Sequence, residues 1–162
     1  MYNEGVKQKN NLFIVWQHII GICILVLTIL FSWLFLAEKT SDRLQDQMAQ
    51  ARKIALSHSS IATIETESFF HGREAYLSFI GKDQEGQELA VLVAQADDAV
   101  YTYPLKEGVS SKEAASVVKE KSQDATDRVT FGRFKGKPIW EVKAGSSYYV
   151  VDFKTGKVIG VF

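Results

Sequence analysis

The hydrophobic pattern divides the chain into two regimes. From Asn10 to Ala37 no residue is charged, and from Ile19 to Leu36 almost every position is apolar. At about 1.5 Å of rise per residue, roughly 20 apolar residues cross a hydrocarbon core of about 30 Å, so a membrane-spanning helix is predicted over 12–37. Beyond the span the pattern is shorter and periodic. Leu44, Met48, Ala51 and Ala55 recur at steps of three and four, opposite Asp42, Asp46 and Arg52, which predicts a helix with one apolar stripe. No terminator separates this helix from the span, so one long helix is expected from bilayer to domain. Strand-like segments follow: Ile61 to Phe70, with Thr63, Glu65 and Glu67 on one face, then Glu74 to Ile80, then Glu88 to Gln95. Lys82-Asp83-Gln84-Glu85-Gly86 reads as the turn between the last two, and Val100 to Tyr103 forms a further strand ahead of Pro104.

The same order then recurs. Ser110 and Glu113 have the spacing of a capping box ahead of the stripe Ala114, Ala115, Val117 and Val118. Strands are expected over Arg128 to Lys135, Pro138 to Lys143, Ser147 to Phe153 and Lys157 to Phe162, with Thr155-Gly156 as a tight hairpin turn. A shift of 64 positions superposes Ala51 on Ala115, Thr66 on Thr130, Phe70 on Phe134, Gly72 on Gly136 and Gly81 on Gly145, and brings Tyr76 onto Trp140. With a six-residue insertion allowed, Asp97-Asp98 falls where Thr155-Gly156 stands in the second copy. Gly72, Gly136 and Gly156 read as turn glycines. The fold class is therefore α+β: a transmembrane helix, then two tandem units, each a helix on a three- or four-stranded antiparallel sheet. Units this small bury little apolar surface alone, so the two halves are expected to pack on each other.

The boundaries that follow are a cytoplasmic tail at 1–11, the span at 12–37, a first unit at 38–103, a linker at 104–109 and a second unit at 110–162. Cleavage as a signal peptide is disfavoured, because bulky Phe35 stands two residues before Ala37 at the exit. Ile22 ahead of Cys23 argues against lipoprotein processing. Lys7 and Lys9 precede the span against a lone Glu4, which favours a cytoplasmic N-terminus and an extracytoplasmic C-terminal part. Cys23 is the only cysteine, so no disulfide staples the exported portion.

Charge separates the copies. Residues 38–103 hold six Lys or Arg and eleven Asp or Glu, whereas 104–162 hold eleven and seven. The chain is neutral overall, but the first unit is acidic and the second basic; either both are solvated faces, one of them tuned to avoid anionic lipid, or the basic unit meets an acidic partner or an anionic wall polymer. Catalytic chemistry is sparse. His58 sits at a helix exit, His71 precedes a turn glycine, and neither has the spacing of a metal site or a nucleophile–base pair. No catalytic, metal or cofactor-binding residue is assigned, and neutral charge with an exported location disfavours nucleic-acid binding. The aromatics Tyr101, Tyr103, Trp140, Tyr148, Tyr149 and Phe153 are the candidates for packing or partner contact.

Phe134-x-Gly136-Lys137-Pro138-x-Trp140, followed by Tyr148-Tyr149-Val150-Val151-Asp152-x-Lys154-Thr155-Gly156-Lys157-Val158, resembles a PepSY-type unit. The complete layout, a short basic tail, one span and two such units, is similar to the TseB-like (YpmB) family of Gram-positive cell-wall elongation regulators. The first copy departs from the pattern, with Tyr76 for the tryptophan and Asp97-Asp98 for Thr-Gly. The resemblance implies a cystatin-like fold and a membrane-anchored, non-enzymatic role in regulating wall elongation, through contact with a penicillin-binding protein, a peptidoglycan transpeptidase. It brings no catalytic residues, cofactor or metal. PepSY units elsewhere restrain exported proteases, which is the alternative, and a module that senses a ligand or peptide between the units is a third.

Overall fold

The apolar run and the stripe that follows it lie on one helix in the computed structural model, which describes residues 4–122 and 124–162. The side chains of residues 4–14 and 37–42 lie outside that description, so the charges at Glu4, Lys7, Lys9, Glu38 and Lys39 that bear on orientation are not described. Helix α1 runs Glu4–His58. Within it Val15–Leu36 is long and apolar enough to cross a membrane, and none of that segment is buried against protein. Residues 1–46 and 47–162 form two separate bodies, and everything below concerns the second.

In the second body the α1 stripe does what an amphipathic helix must, burying its apolar side on a sheet. Ala51 and Ala55 are buried, with Met48 and Ile54 partly so.

The first sheet is β1 (Thr63–His71), β2 (Ala75–Lys82), β3 (Glu88–Ala94) and β4 (Val100–Pro104), antiparallel and in that order. Pro104 is tolerated because β4 is an edge strand and needs no N–H on its outer side. A short 3-10 turn, Leu105–Glu107, leads to α2 (Ser111–Ser122). The capping box forms as expected: the Ser110 N–H donates to Glu113 Oε2 at 2.7 Å, and the Glu113 N–H donates to Ser110 Oγ at 3.2 Å. The second sheet repeats the design with β5 (Thr126–Phe134), β6 (Lys137–Ala144), β7 (Ser147–Asp152) and β8 (Val158–Val161). This is the α+β architecture expected of tandem cystatin-like units.

Bulges set the internal correspondence, and they correct the simple 64-residue shift. In the first sheet the register slips between Ile64 and Thr66, opposite Gly81 and Ile80; in the second it slips between Thr126 and Arg128, opposite Ala144 and Lys143. Matching the bulges gives offsets of 62 on the first strand and 63 on the second. Because side chains alternate, one residue of slip moves a side chain to the other face. Leu77 and Phe79, which face α1, correspond to Trp140 and Val142. Tyr76 therefore does not take the place of Trp140; it points away from its own helix, into the space between the sheets. The bulge also separates Glu65 from Glu67, which simple alternation puts on one face: Glu65 pairs with Lys82 at 2.8 Å, and Glu67 with Arg52 on α1 at 2.6 Å.

The two halves share a core. Phe70, Tyr76, Ala90 and Leu92 from the first sheet and Phe131, Trp140, Val151 and Phe153 from the second belong to one buried cluster with Ala114 and Val118 of α2. A second cluster lies between α1 and the first sheet, around Leu77, Phe79, Val91 and Val93.

Candidate functional site

The aromatic candidates fall into three settings. Trp140 and Phe153 are core residues, each 1% exposed. Phe131 stands edge-on to both, at ring separations of 4.9 and 5.3 Å. The Trp140 indole N–H donates to the Val109 carbonyl at 2.8 Å, tying the second sheet to the segment that starts α2. Tyr149 is half-buried against the same core. Tyr101 and Tyr103 project from β4 onto β5: the Arg133 guanidinium lies 4.0 Å from the centre of the Tyr101 ring, and Tyr103 packs on Phe131 at 5.7 Å. Arg133 also bonds the Tyr76 hydroxyl, which raises the Arg133 pKa, and its Nε donates to the Gly136 carbonyl at 3.2 Å. The Tyr76 hydroxyl donates to Glu74, and burial first, then Glu74, raises its pKa. These side chains form the seam between the halves. Tyr101 and Trp140 border two other concavities, whereas Tyr148, alone among the six candidates, lines one on the outer part of the second sheet.

That concavity lies on the face of the second sheet that carries Arg128 and Phe134 of β5, Glu141 of β6, and Tyr148 and Val150 of β7. Its volume is about 550 Å³, within the range of ordinary ligand-binding clefts. The turn from β1 to β2, with Phe70, His71 and Arg73, overhangs it, and Phe162 closes one side. Phe134 and Phe162 meet edge to face at 6.1 Å across the floor.

Local chemistry explains the shape. Lys135 and Gly136 have φ of +49° and +79°, a two-residue turn of the kind that suits the right-handed twist of a hairpin. The β5–β6 connection is therefore minimal, and it delivers Phe134 and Lys135 directly to the rim. Gly156 likewise takes a positive φ, +68°, as a turn glycine should. Gly72 has another reason to be glycine. Its φ is ordinary, but a Cβ there would overlap the Phe70 ring. Gly132 has the same neighbour: the Phe70 ring occupies the space where a Cβ would stand, so the first sheet plugs into the second at this point.

Electrostatics at the groove are unbalanced. Arg73, Arg128 and Lys135 are exposed, and among the described residues none has a carboxylate within ion-pair distance. Glu141 is the one acid lining it; burial raises its pKa, and Arg128 and His71 partly offset that. His71 stacks on Phe69 at 5.7 Å with nearly parallel rings. His71 closes β1 and Lys135 lies in the β5–β6 turn, both exposed, and the sequence did not bring them together on one rim. Among the described residues, no group of three His, Cys, Asp or Glu side chains is arranged to hold a metal ion.

Comparison with known proteins matches two separate segments of the chain. Residues 50–94 match the family profile described as the cell wall elongation regulator TseB-like domain. Residues 108–162 match the peptidase propeptide and YPEB domain, or PepSY. Among solved structures, the YpmB protein from Bacillus subtilis is similar over 70% of this chain and 94% of its own, at 27% identity and a TM-score of 0.63. A chain from Clostridium difficile 630, described as a candidate lipoprotein, covers 70% of this chain and 90% of its own at 13% identity and a TM-score of 0.38. No curated protein matches.

Proposed function

We propose that this chain is a membrane-anchored, extracytoplasmic and non-enzymatic regulator of cell-wall elongation that acts by contact with a penicillin-binding protein. The observation that carries the reading is the TseB-like match at 50–94 together with the likeness to YpmB along most of the chain. The apolar Val15–Leu36 segment supports a single-pass anchor, and Lys7 and Lys9 favour a cytoplasmic N-terminus. In this reading 1–11 is a cytoplasmic tail, 12–37 the span, 38–103 and 110–162 the two units, and 104–109 their linker. Crosslinking of the full chain in living Gram-positive cells, followed by pull-down, should recover a penicillin-binding protein. Depletion should change cell length and the rate of wall incorporation; unchanged cell shape and incorporation would sink the reading.

One observation favours a second reading. Residues 108–162 match a domain found in peptidase propeptides, which suits a modulator of an exported protease. Under that reading the full chain in membrane vesicles should inhibit a protease secreted by the same cells, with no effect on wall synthesis.

A further inference from the structure

The groove on the second sheet joins two properties that seldom serve packing alone. Its floor is aromatic and aliphatic, from Phe134, Tyr148, Val150 and Phe162, and its rim carries three cations without ion-pair partners among the described residues. Apolar surface at the centre with charge at the rim is the layout of a recognition site, because the centre supplies affinity on desolvation and the rim selects partners by sign.

The spacing of the cations narrows the partner. Arg128 stands near the start of β5 and Lys135 in the turn just beyond its end, so at about 3.3 Å of rise per strand residue their Cα atoms are roughly 23 Å apart along the strand. Arg73 comes from a different element, the β1–β2 turn. A single anionic headgroup cannot meet charges so far apart. A chain that lies along the groove and carries several anionic groups can. The sign agrees, since Glu141 is the only acid lining the groove and it sits near Arg128 on the floor.

We propose that this groove receives an extended segment of a protein partner, one with spaced acidic side chains around an apolar or aromatic anchor. The anchor would rest on Phe134, Tyr148 and Val150, and the acids would face Arg73, Arg128 and Lys135. The proposal rests on the reading that the chain acts by protein contact, and it assigns the surface and the chemistry of that contact.

The test uses the full chain in its native membrane, with p-benzoylphenylalanine replacing Phe134 or Tyr148 in the groove. Gln95, in the β3–β4 turn, and Glu120, exposed on α2, serve as control positions. After irradiation the crosslinked peptides are sequenced by mass spectrometry. The groove positions should capture one protein segment in which acidic residues flank an apolar one. Arg73→Glu with Arg128→Glu should cut the yield at least about tenfold, near 1.4 kcal/mol, while Arg73→Lys with Arg128→Lys should retain it. Both arginines are exposed, so the thermal midpoint should hold; should the double variant fail to fold, Lys135→Glu serves with the same expected loss. Lipid adducts alone, a second copy of this chain, or a protein crosslink indifferent to charge reversal would each overturn the proposal. If the captured segment belongs to a protein other than a penicillin-binding protein, the groove assignment holds and the wall-regulator reading falls. If a penicillin-binding protein is captured from Gln95 or Glu120 and not from the groove, the reverse is true.

Discussion

At the scale of single residues, the seam between the halves depends on a missing side chain. Gly132 is buried, with the Phe70 ring where its Cβ would stand, so Gly132→Ala forces either the ring or the strand to move. Overpacking of this kind costs about 1–3 kcal/mol, which chemical denaturation should register as a lower midpoint with an unchanged slope. The partner truncation Phe70→Ala removes the plug itself and should cost about 3–5 kcal/mol. Combined, the two changes should cost less than their sum, because the alanine methyl then fills part of the cavity. Glu141 behaves in the opposite sense to most surface acids. Burial raises its folded-state pKa, so the ionised form is less favourable in the folded chain than in the unfolded one. Its unfavourable contribution is absent at low pH, where both states hold the proton, and appears as pH rises through the unfolded value. Glu141→Gln should therefore raise the thermal midpoint at pH 7, and the difference should vanish near pH 4. A lower midpoint at pH 7 would mean that Arg128 and His71 outweigh the burial.

At the scale of elements, the helix caps and turns are where local sequence and structure agree most closely. The Ser110–Glu113 box forms with both reciprocal bonds, and Ser110→Ala should cost about 1 kcal/mol, read as a lower thermal midpoint. The bond from the Ser110 N–H holds the Glu113 carboxylate pKa down. A lowered acid stabilises above its unfolded pKa, so this contribution is complete at neutral pH and is lost as pH falls below about 4. The eight strands were legible for a similar reason: alternation, Gly86, Gly156 and the short turns are all local signals. What the sequence did not reveal is register. Neither bulge has a signature in a single chain, and each moves every later residue of its strand to the other face. The bulge beside Glu65 separates it from Glu67 despite their alternation; Tyr76, on the unbulged β2, falls out of step with Trp140 because the β5–β6 hairpin holds one residue more than the β1–β2 hairpin, an offset of 62 before the turn and 63 after it. The groove was illegible on the same ground. Tyr148 was among the candidates, but Phe70, Arg73, Phe134 and Glu141 meet only once the β1–β2 turn crosses the second sheet. The one available sign was that Phe70, Gly72 and His71 align with Phe134, Gly136 and Lys135 in the repeat; it marks the correct turns without showing that they converge.

At the scale of the whole molecule, the two cystatin-like units are one folding unit in the body that spans 47–162. Fifteen fully or nearly buried residues make up the larger core, drawn from both sheets and from α2, so neither half can open without exposing the other. A unit of this size standing alone would bury too little to be stable, whereas about 115 residues with a shared core fold as an ordinary domain. Unfolding should accordingly be a single transition, although the sequence repeats. The measurement needs one reporter in each half. Trp140 reports the second; with Trp16 and Trp33 replaced by phenylalanine it is the only tryptophan. A fluorinated phenylalanine at Phe79, fully buried against α1 in the other core, reports the first by fluorine resonance. In denaturant both should change at the same midpoint, and Phe70→Ala should shift the two midpoints together. Separate midpoints, or a Phe70→Ala shift confined to Phe79, would show that the seam is a contact between independent domains and not part of a common core.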